Sequence, residues 1–452
     1  MKKIGLFILG ILLVLCGCTS SLVPNPPEGF EIRDDLLFWI NNESALIYRI
    51  ELINCDTETI LRKIVSLGDN LNELNIPEGD YMIKLQAIRN KKESIFTESI
   101  FYHQKDVLAV SKINGQMLIN DVYIKWMGRT HYEEEKDVNL IFHSASGFEV
   151  HFIGSSINAI LTATNTLSVA HRPYLVIVVD GDFENAQTIC LSKALTNMTL
   201  VEGLDYGEHK LTVYKRSEAI DSHVGLKEIE TDGKFIDRII WQDRRIEFIA
   251  ASSSTGYGNL SKEPKTTSNS DALKAFAFLT SKALNAEISI YAASGWGMKF
   301  SRWTKPMSLN MFDAYKKVEM FSSVDWDPLK YIPDVIVVNF GTNDWSYIAL
   351  ADNEIEKEAR LQAFKDQYVN FIHYLRSLYQ NVEIIILYGI MNEQSIYDAT
   401  TDIYNRLVSD NKVHLLKASG DGGGSNSHPS LNSHTVIAET VINKIKEITN
   451  WK

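Results

Sequence analysis

Four hydroxyl residues stand in a row in "RRIEFIAASSSTGYGN", Arg244 to Asn259: Ser252, Ser253, Ser254 and Thr255, between an apolar run and a glycine turn. Either they form a solvated turn, or one of them is a nucleophile held at the carboxyl end of a strand. Acyl transfer needs such a hydroxyl, an imidazole to take its proton, and donors aimed at the oxyanion that develops. Later loops offer those residue types. "AASGWG" holds Gly295, Trp296 and Gly297; "VVNFGTNDW" holds Asn343, Asp344 and Trp345; "ASGDGGGSNSHPS" holds Asp421 and His428. Each of these loops directly follows an apolar run.

The elements that must position them alternate. From about Ile240 the β-like runs "RIEFIAAS", "AEISIYAAS", "DVIVVNFG", "NVEIIILYGI" and "KVHLLKAS" are separated by segments of helical spacing. The longest is "NEIEKEARLQAFKDQYVNFIHYLRSLY"; others are "DALKAFAFLTSKALN", "IYDATTDIYNRLVSD" and "SHTVIAETVINKIKEITN". This alternation predicts an α/β domain over residues 243–452 with a parallel five-stranded sheet wrapped by helices. Ligands of such sheets sit at the carboxyl ends of the strands, where the candidate residues fall.

The N-terminal half reads as all-β. Short apolar strands broken by Ser, Gly and Asn over residues 108–238 predict a sandwich of jelly-roll type. Residues 26–105, with "LLFWI", "ALIYRIELI" and "GDYMIKLQAI", resemble a fibronectin type III module in strand pattern and in the placement of Trp39. A Pro-rich stretch, "SLVPNPPEGF", suits an extended spacer, with the tether placed at residues 18–25. Ahead of it, "MKKIGLFILGILLVLCGCTSS" has two lysines, a short apolar run and small residues, the layout of a secretory signal over residues 1–17. Its "LCGC" ending resembles a bacterial lipobox, which makes Cys18 the expected lipidated residue and the outer membrane the expected location. Plain secretion or an uncleaved anchor is the alternative.

Of 452 residues, 45% are hydrophobic and 23% charged, the balance of a folded multidomain protein. A net charge of −12 without a basic cluster argues against nucleic acid as a partner and is compatible with a neutral glycan. Four cysteines without CxxC or Cys/His spacing point to no structural metal, and a Cys55–Cys190 disulfide has no support.

In their order, these blocks resemble the SGNH (GDSL) hydrolases, and more narrowly carbohydrate esterase family two, which carries a β jelly roll ahead of its catalytic domain. "RRIEFIAASSSTGYGN" is similar to that family's "RRIEFIGDSITCGYGN" and puts Ser252 on the nucleophile. "AASGWG" puts Gly295 on the oxyanion glycine, with Gly297 as fallback. "VVNFGTND" puts Asn343 on the oxyanion side-chain donor, and "HPS" puts His428 on the base. "WMGRTHY", "SGFEVHFIGSS", "VVDG" and "YKRSEA" resemble the family's jelly roll, so the likeness spans about residues 110–452. It implies a cofactor-free serine hydrolase that removes acetyl groups from a plant-type polysaccharide such as xylan or mannan, with the Ser252 backbone N–H also serving the oxyanion.

Two departures stand out. The family's Gly-Asp before the nucleophile is Ala250-Ala251, and its acid shortly before the histidine is replaced by Ser425 and Asn426. A Ser–His dyad is therefore expected, with Nδ1 of His428 facing a carbonyl of the "GDGGGSNS" loop and Asp421 as the rival orienter. Ser253 and Ser254 read as turn or packing residues, Asp344 as a loop holder, His434 as a surface or cap-side residue, and Arg129 as an ion-pair partner within the jelly roll. Among Trp296, Trp303 and Trp345, the last is the candidate to line a sugar site, because it follows the Asn343 block. The competing function is a catalytically inactive, glycan-binding surface lipoprotein; an esterase acting on lipids or peptidoglycan sugars is a third.

Overall fold

The computed structural model describes residues 23–452 apart from 34, 41–46, 75, 78, 90–91, 105–109, 120–121, 238–240 and 305. The expected signal segment and Cys18 lie outside the described residues. The chain forms two compact units, 1–109 and 110–452.

In the first unit, Ile60–Val65, Ile47–Asn54 and Gly79–Arg89 pair in that order, antiparallel, and Lys92–Glu93 and Ile100–Gln104 both pair with the third strand. Alternation along these strands buries one face: Tyr48, Ile50 and Leu52 lie opposite Ala87, Leu85 and Ile83. The hairpin of Glu28–Arg33 and Leu36–Ile40 adds Leu37 and Trp39 to the same core. Cys55 and Cys190 are both free thiols.

The second unit starts with two antiparallel six-stranded sheets packed face to face. One runs Thr130–Glu133, Val138–Ile141, Val224–Thr231, Ile157–Ala163, Leu195–Val201, with Lys112–Asn114 also on Val224–Thr231. The other runs Gln187–Cys190, Tyr174–Val179, Gly207–Lys215, Gly147–Gly154, Lys234–Ile236, with Ile124–Met127 also on Gly147–Gly154. Phe148, Val150, Phe152 and Leu211 of one sheet meet Leu161, Leu226 and Ile229 of the other in a single apolar core.

The rest is an α/β layer structure. Its strands are β1 (Arg245–Ala250), β2 (Glu287–Ala292), β3 (Val335–Asn339), β4 (Glu383–Tyr388) and β5 (Val413–Lys417), all parallel, in the order β2-β1-β3-β4-β5. Runs such as "VIVV" and "IIIL" are apolar at every position because helices cover both faces. The helices are α1 (Phe276–Ala283), α2 (Met311–Tyr315), α3 (Thr342–Ile348), α4 (Glu354–Leu378), α5 (Tyr397–Asn405) and α6 (Leu431–Thr449). α1 and α6 pack on one face of the sheet, through Phe276, Ile437, Val441 and Ile445. α4 and α5 pack on the other: Phe364, Tyr368, Phe371 and Leu375 recur at helical spacing and meet Val338 and Ile384. Asn353 caps α4, its side chain accepting from the Glu356 N–H (2.9 Å). Strand order reverses around β1, which opens a crevice beyond its carboxyl end.

The sandwich and the α/β layer share a buried seam. Arg129, expected to pair within the sandwich, reaches across it: its guanidinium pairs with Glu247 on β1 (3.3 Å) and donates to the carbonyls of Tyr315 (2.5 Å) and Lys317 (2.8 Å). It lies between the rings of Tyr291 and Tyr315, 4.1 and 4.3 Å from their centroids. Full burial makes those partners obligatory, since an unpaired charge there costs several kcal/mol (about 3–5). Lys125 makes a second buried pair with Glu287 on β2, at 2.5 Å.

Candidate active site

β1 ends at Ala250, Ala251 stays extended, and Ser252–Thr255 wind into one 3-10 turn. Ser252 is the first residue of that turn, where a backbone N–H has no intrahelical acceptor. The Thr255 hydroxyl donates to the Ser252 carbonyl (2.8 Å) and tightens the turn. The small Ala250 is fully buried where the turn leaves the sheet, so the missing Gly-Asp leaves the turn intact. Of the four hydroxyls, that of Ser252 meets an imidazole: it donates to Nε2 of His428 at 2.7 Å. The Ser254 hydroxyl is fully buried without a hydrogen-bond partner, and Ser253 lines the adjoining cavity.

His428 sits just before α6. Its Nδ1–H donates to the carbonyl of Ser425 (3.0 Å), which leaves Nε2 as the acceptor facing Ser252. Ser425 is itself immobilised. Its N–H donates to the Gly258 carbonyl (3.0 Å), and its hydroxyl contacts the carbonyls of Glu263 and Ser261. The approach requires glycine at 258, because a Cβ there would lie 2.2 Å from the Ser425 Cβ. The Tyr257 ring stacks on the His428 imidazole at 4.1 Å between centroids, and its hydroxyl accepts from the Asn426 amide (3.0 Å). Burial lowers the His428 pKa below its ordinary value, while the Ser425 and Asn426 carbonyls and the Glu218 charge oppose the shift. The resting base is neutral, as proton abstraction requires.

Asp421 is elsewhere. Its carboxylate accepts from the N–H groups of Gly423 (3.0 Å) and Ser430 (2.9 Å) and from the Ser430 hydroxyl (2.5 Å), and so ties the loop to the start of α6. Burial alone would raise this carboxyl, but those hydrogen bonds hold it below its usual range.

Asn343 lies in the first turn of α3 and lines a cavity of about 60 Å³ together with Ser252, Ser253, Thr342, Met391 and His428. One of its amide N–H groups donates to the Trp296 carbonyl (2.8 Å), which fixes the amide plane and leaves a second N–H. Asp344, fully buried, accepts from the N–H groups of Met298 (3.0 Å), Lys299 (2.8 Å) and Phe300 (2.9 Å), and desolvation pushes it up to about 6. It holds that loop. Gly295, three residues past β2, has φ +81°, a conformation that disfavours any side chain, and a Cβ there would press on Trp303 at 2.9 Å. Trp303 is 64% exposed and Trp296 is core. Trp345 is half-buried on α3 beneath the Lys357 ammonium (5.7 Å) and is not among the cavity-lining residues.

His434, expected as a surface or cap-side residue, is fully buried near the start of α6. Its Nδ1 accepts from the Phe276 N–H (3.2 Å), because its place in the helix faces α1. Sequence reasoning also passed over Tyr257 and over Glu218, a sandwich residue that holds Ser294. Tyr257 stands inside the quoted "GYGN" block, but nothing in its type says that it stacks on the base.

Residues 126–237 match the family model described as carbohydrate esterase 2 N-terminal. The cellulase/esterase CelE of Acetivibrio thermocellus is 30% identical over 322 residues, 68% of this chain; the match spans only 37% of CelE's own length. An acetylxylan esterase/glucomannan deacetylase of Cellvibrio japonicus is 23% identical over 341 residues, which make up 74% of this chain and 90% of that protein. Among solved structures, a family two carbohydrate esterase from Clostridium thermocellum, in complex with cellohexaose, superposes with a TM-score of 0.64 at 26% identity. It covers 73% of this chain and 100% of its own.

Proposed function

We propose that this serine hydrolase of acetylated carbohydrates removes O-acetyl groups from a plant-type polysaccharide, xylan or mannan, through a Ser252–His428 dyad. The observation that carries the reading is the 2.7 Å hydrogen bond from the Ser252 hydroxyl to an imidazole whose other nitrogen is already occupied by a carbonyl. As Ser252 attacks the acetyl carbonyl carbon, its proton passes to Nε2. The oxygen that becomes negative is met by the Asn343 amide and the backbone N–H groups of Ser252 and Gly295. Collapse returns the proton to the departing sugar oxygen and leaves an acetyl-enzyme. Water, deprotonated by the same nitrogen, releases acetate and restores Ser252.

The cavity beside Ser252 favours a small acyl group, since about 60 Å³ is several times the roughly 10–15 Å³ that one water needs but is far below drug-sized pockets of about 300–1,000 Å³. Support for a polysaccharide comes from the relatives: an acetylxylan esterase/glucomannan deacetylase, and a family two esterase holding cellohexaose. The test is acetate release from acetylated xylan and acetylated glucomannan by wild type and Ser252→Ala. Glycan binding without acetate release by the wild type would establish the rival reading, an inactive binding lipoprotein.

Anchoring at Cys18, with the first unit as a fibronectin-like spacer, belongs to the same proposal. Mass spectrometry of the membrane-bound protein would detect a lipid on Cys18, and Cys18→Ala would release an active soluble form.

A further inference from the structure

We infer that Glu218, a residue of the β-sandwich, positions the oxyanion donor loop of the α/β layer by clamping Ser294, the residue before Gly295. The inference rests on the reading of Gly295 as an oxyanion donor.

One carboxylate oxygen of Glu218 accepts from the Ser294 N–H (3.0 Å) and the other from the Ser294 hydroxyl (2.8 Å). A bidentate grip of this kind fixes both the position and the rotation of the residue it holds. The Gly295 N–H belongs to the peptide that leaves Ser294, so the orientation of Ser294 sets the direction of that donor. Gly295 has φ +81°, and glycine has little conformational preference of its own. The direction must therefore be imposed from outside the loop.

Glu218 is suited to impose it. It is 3% exposed and pairs with the Lys265 ammonium at 3.0 Å; Lys265 also grips Asp221, which in turn holds His171 (2.7 Å). The backbone beneath it is fixed too. The fully buried Lys215 donates to the carbonyls of Ser217 (2.7 Å) and Glu218 (3.0 Å). Burial alone would raise the Glu218 carboxyl, but Lys265 and the Ser294 hydrogen bonds hold it below the usual range, so the clamp is an anion. Lys265 lies 5.6 Å over the ring of Tyr257, which stacks on His428. Glu218 thus holds the donor loop directly and is linked through Lys265 to the flank of the base.

The experiment compares wild type, Glu218→Gln, Ser294→Ala and Ser294→Thr. One readout is kcat and KM on a chromogenic acetate ester. The other is the rate at which a fluorophosphonate probe labels Ser252, followed by mass spectrometry, which needs the same donors and no glycan. Glu218→Gln keeps the shape but puts an N–H against a donor. Since a misplacement of about 1 Å can cost about 100-fold, kcat and the labelling rate are expected to fall together by roughly 10- to 100-fold, with KM within about twofold. Ser294→Ala, which covers the case in which Glu218→Gln fails to fold, should lose about three- to tenfold in both readouts through one lost hydrogen bond. Ser294→Thr, which keeps the hydroxyl, should restore them. Rates within about twofold of wild type in both Glu218→Gln and Ser294→Ala overturn the inference, as does a loss confined to KM. Wild-type protein that is not labelled at Ser252 overturns the reading of the site and the inference with it.

Discussion

Nδ1 of His428 lies 3.0 Å from the carbonyl oxygen of Ser425, three residues earlier in the same loop. A carbonyl fixes the imidazole tautomer as well as a carboxylate does, but it stabilises the imidazolium less because it carries only a partial charge. With Asp421 committed to Ser430 and Gly423, Asp421→Asn should reduce kcat on an acetylated glycan by less than about tenfold, against about 10⁴ where tautomer control is lost. A drop of several hundredfold in a folded variant would make Asp421 part of a triad. Placing an acid nearer the base is possible at Asn426, which is exposed, and should leave the rate similar or modestly higher. The fully buried Ser425, packed on Gly258, has no room for one.

Ser253→Ala and Ser254→Ala should each retain most of the esterase rate, whereas Ser252→Ala should retain none above background. The Ser254 hydroxyl has no hydrogen bond to lose, and neither hydroxyl contacts His428. Equal losses from all three in a chromogenic acetate assay would dissolve the assignment.

Asn343→Ala should lower kcat by roughly 10²–10³ with little change in KM, the usual cost of removing one oxyanion donor. Its amide is held in plane by the Trp296 carbonyl, so the donor is preorganised before substrate arrives. A change confined to KM would make Asn343 a binding residue.

Activity should persist into mild acid. The base must be neutral, and burial lowers the His428 pKa, so protonation sets in below the ordinary histidine value of about 6.5. The acid limb of kcat/KM should accordingly have its midpoint below about pH 6.5. A midpoint well above that value would contradict the buried, neutral base.

Stability carries its own pH signature through His434, whose burial pushes it down to about 4. As a depressed histidine, its contribution is complete above its unfolded value of about 6.5 and is lost as pH falls from there to about 4, where the folded state also takes the proton. In denaturant titrations, wild type should therefore lose stability relative to His434→Gln as pH falls through that window. The difference should change by up to about 1.4 kcal/mol per pH unit across that window. A difference independent of pH would mean that His434 titrates normally.

The sheet and its loops were readable because a strand with helices on both faces is apolar through its centre, as Val335 to Val338 of β3 and Ile384 to Leu387 of β4 are, and because residues after such strands converge at one edge. Ser252 and His428 stand at that edge, but the choice of Ser252 among four hydroxyls, and of a loop carbonyl for Nδ1 of His428, came from the resemblance of the blocks and not from the strands. What escaped it is contact across the chain. Arg129 finds Glu247 over a separation of 118 residues, and Glu218 finds Ser294 over 76. A single sequence records neither, because a charged residue in a β-rich segment looks the same whether it faces solvent or a distant carboxylate. His434 was misplaced for the same reason: its position in α6 shows its burial only once α1 is known to cover it.

The buried pairs at the seam decide where the gene can be cut. A truncation beginning at β1 would discard Arg129 and Lys125 while leaving Glu247 and Glu287 in the sheet edge they neutralise, each an anion without its cation. Such a fragment would contain Ser252, His428 and Asn343 and still be an unstable carrier of them, since stripping one member from a buried pair costs about 3–5 kcal/mol. The portable unit for fusion or domain exchange therefore begins near Val110. Shuffling the sandwich independently of the α/β layer would require rewriting β1 and β2 as well.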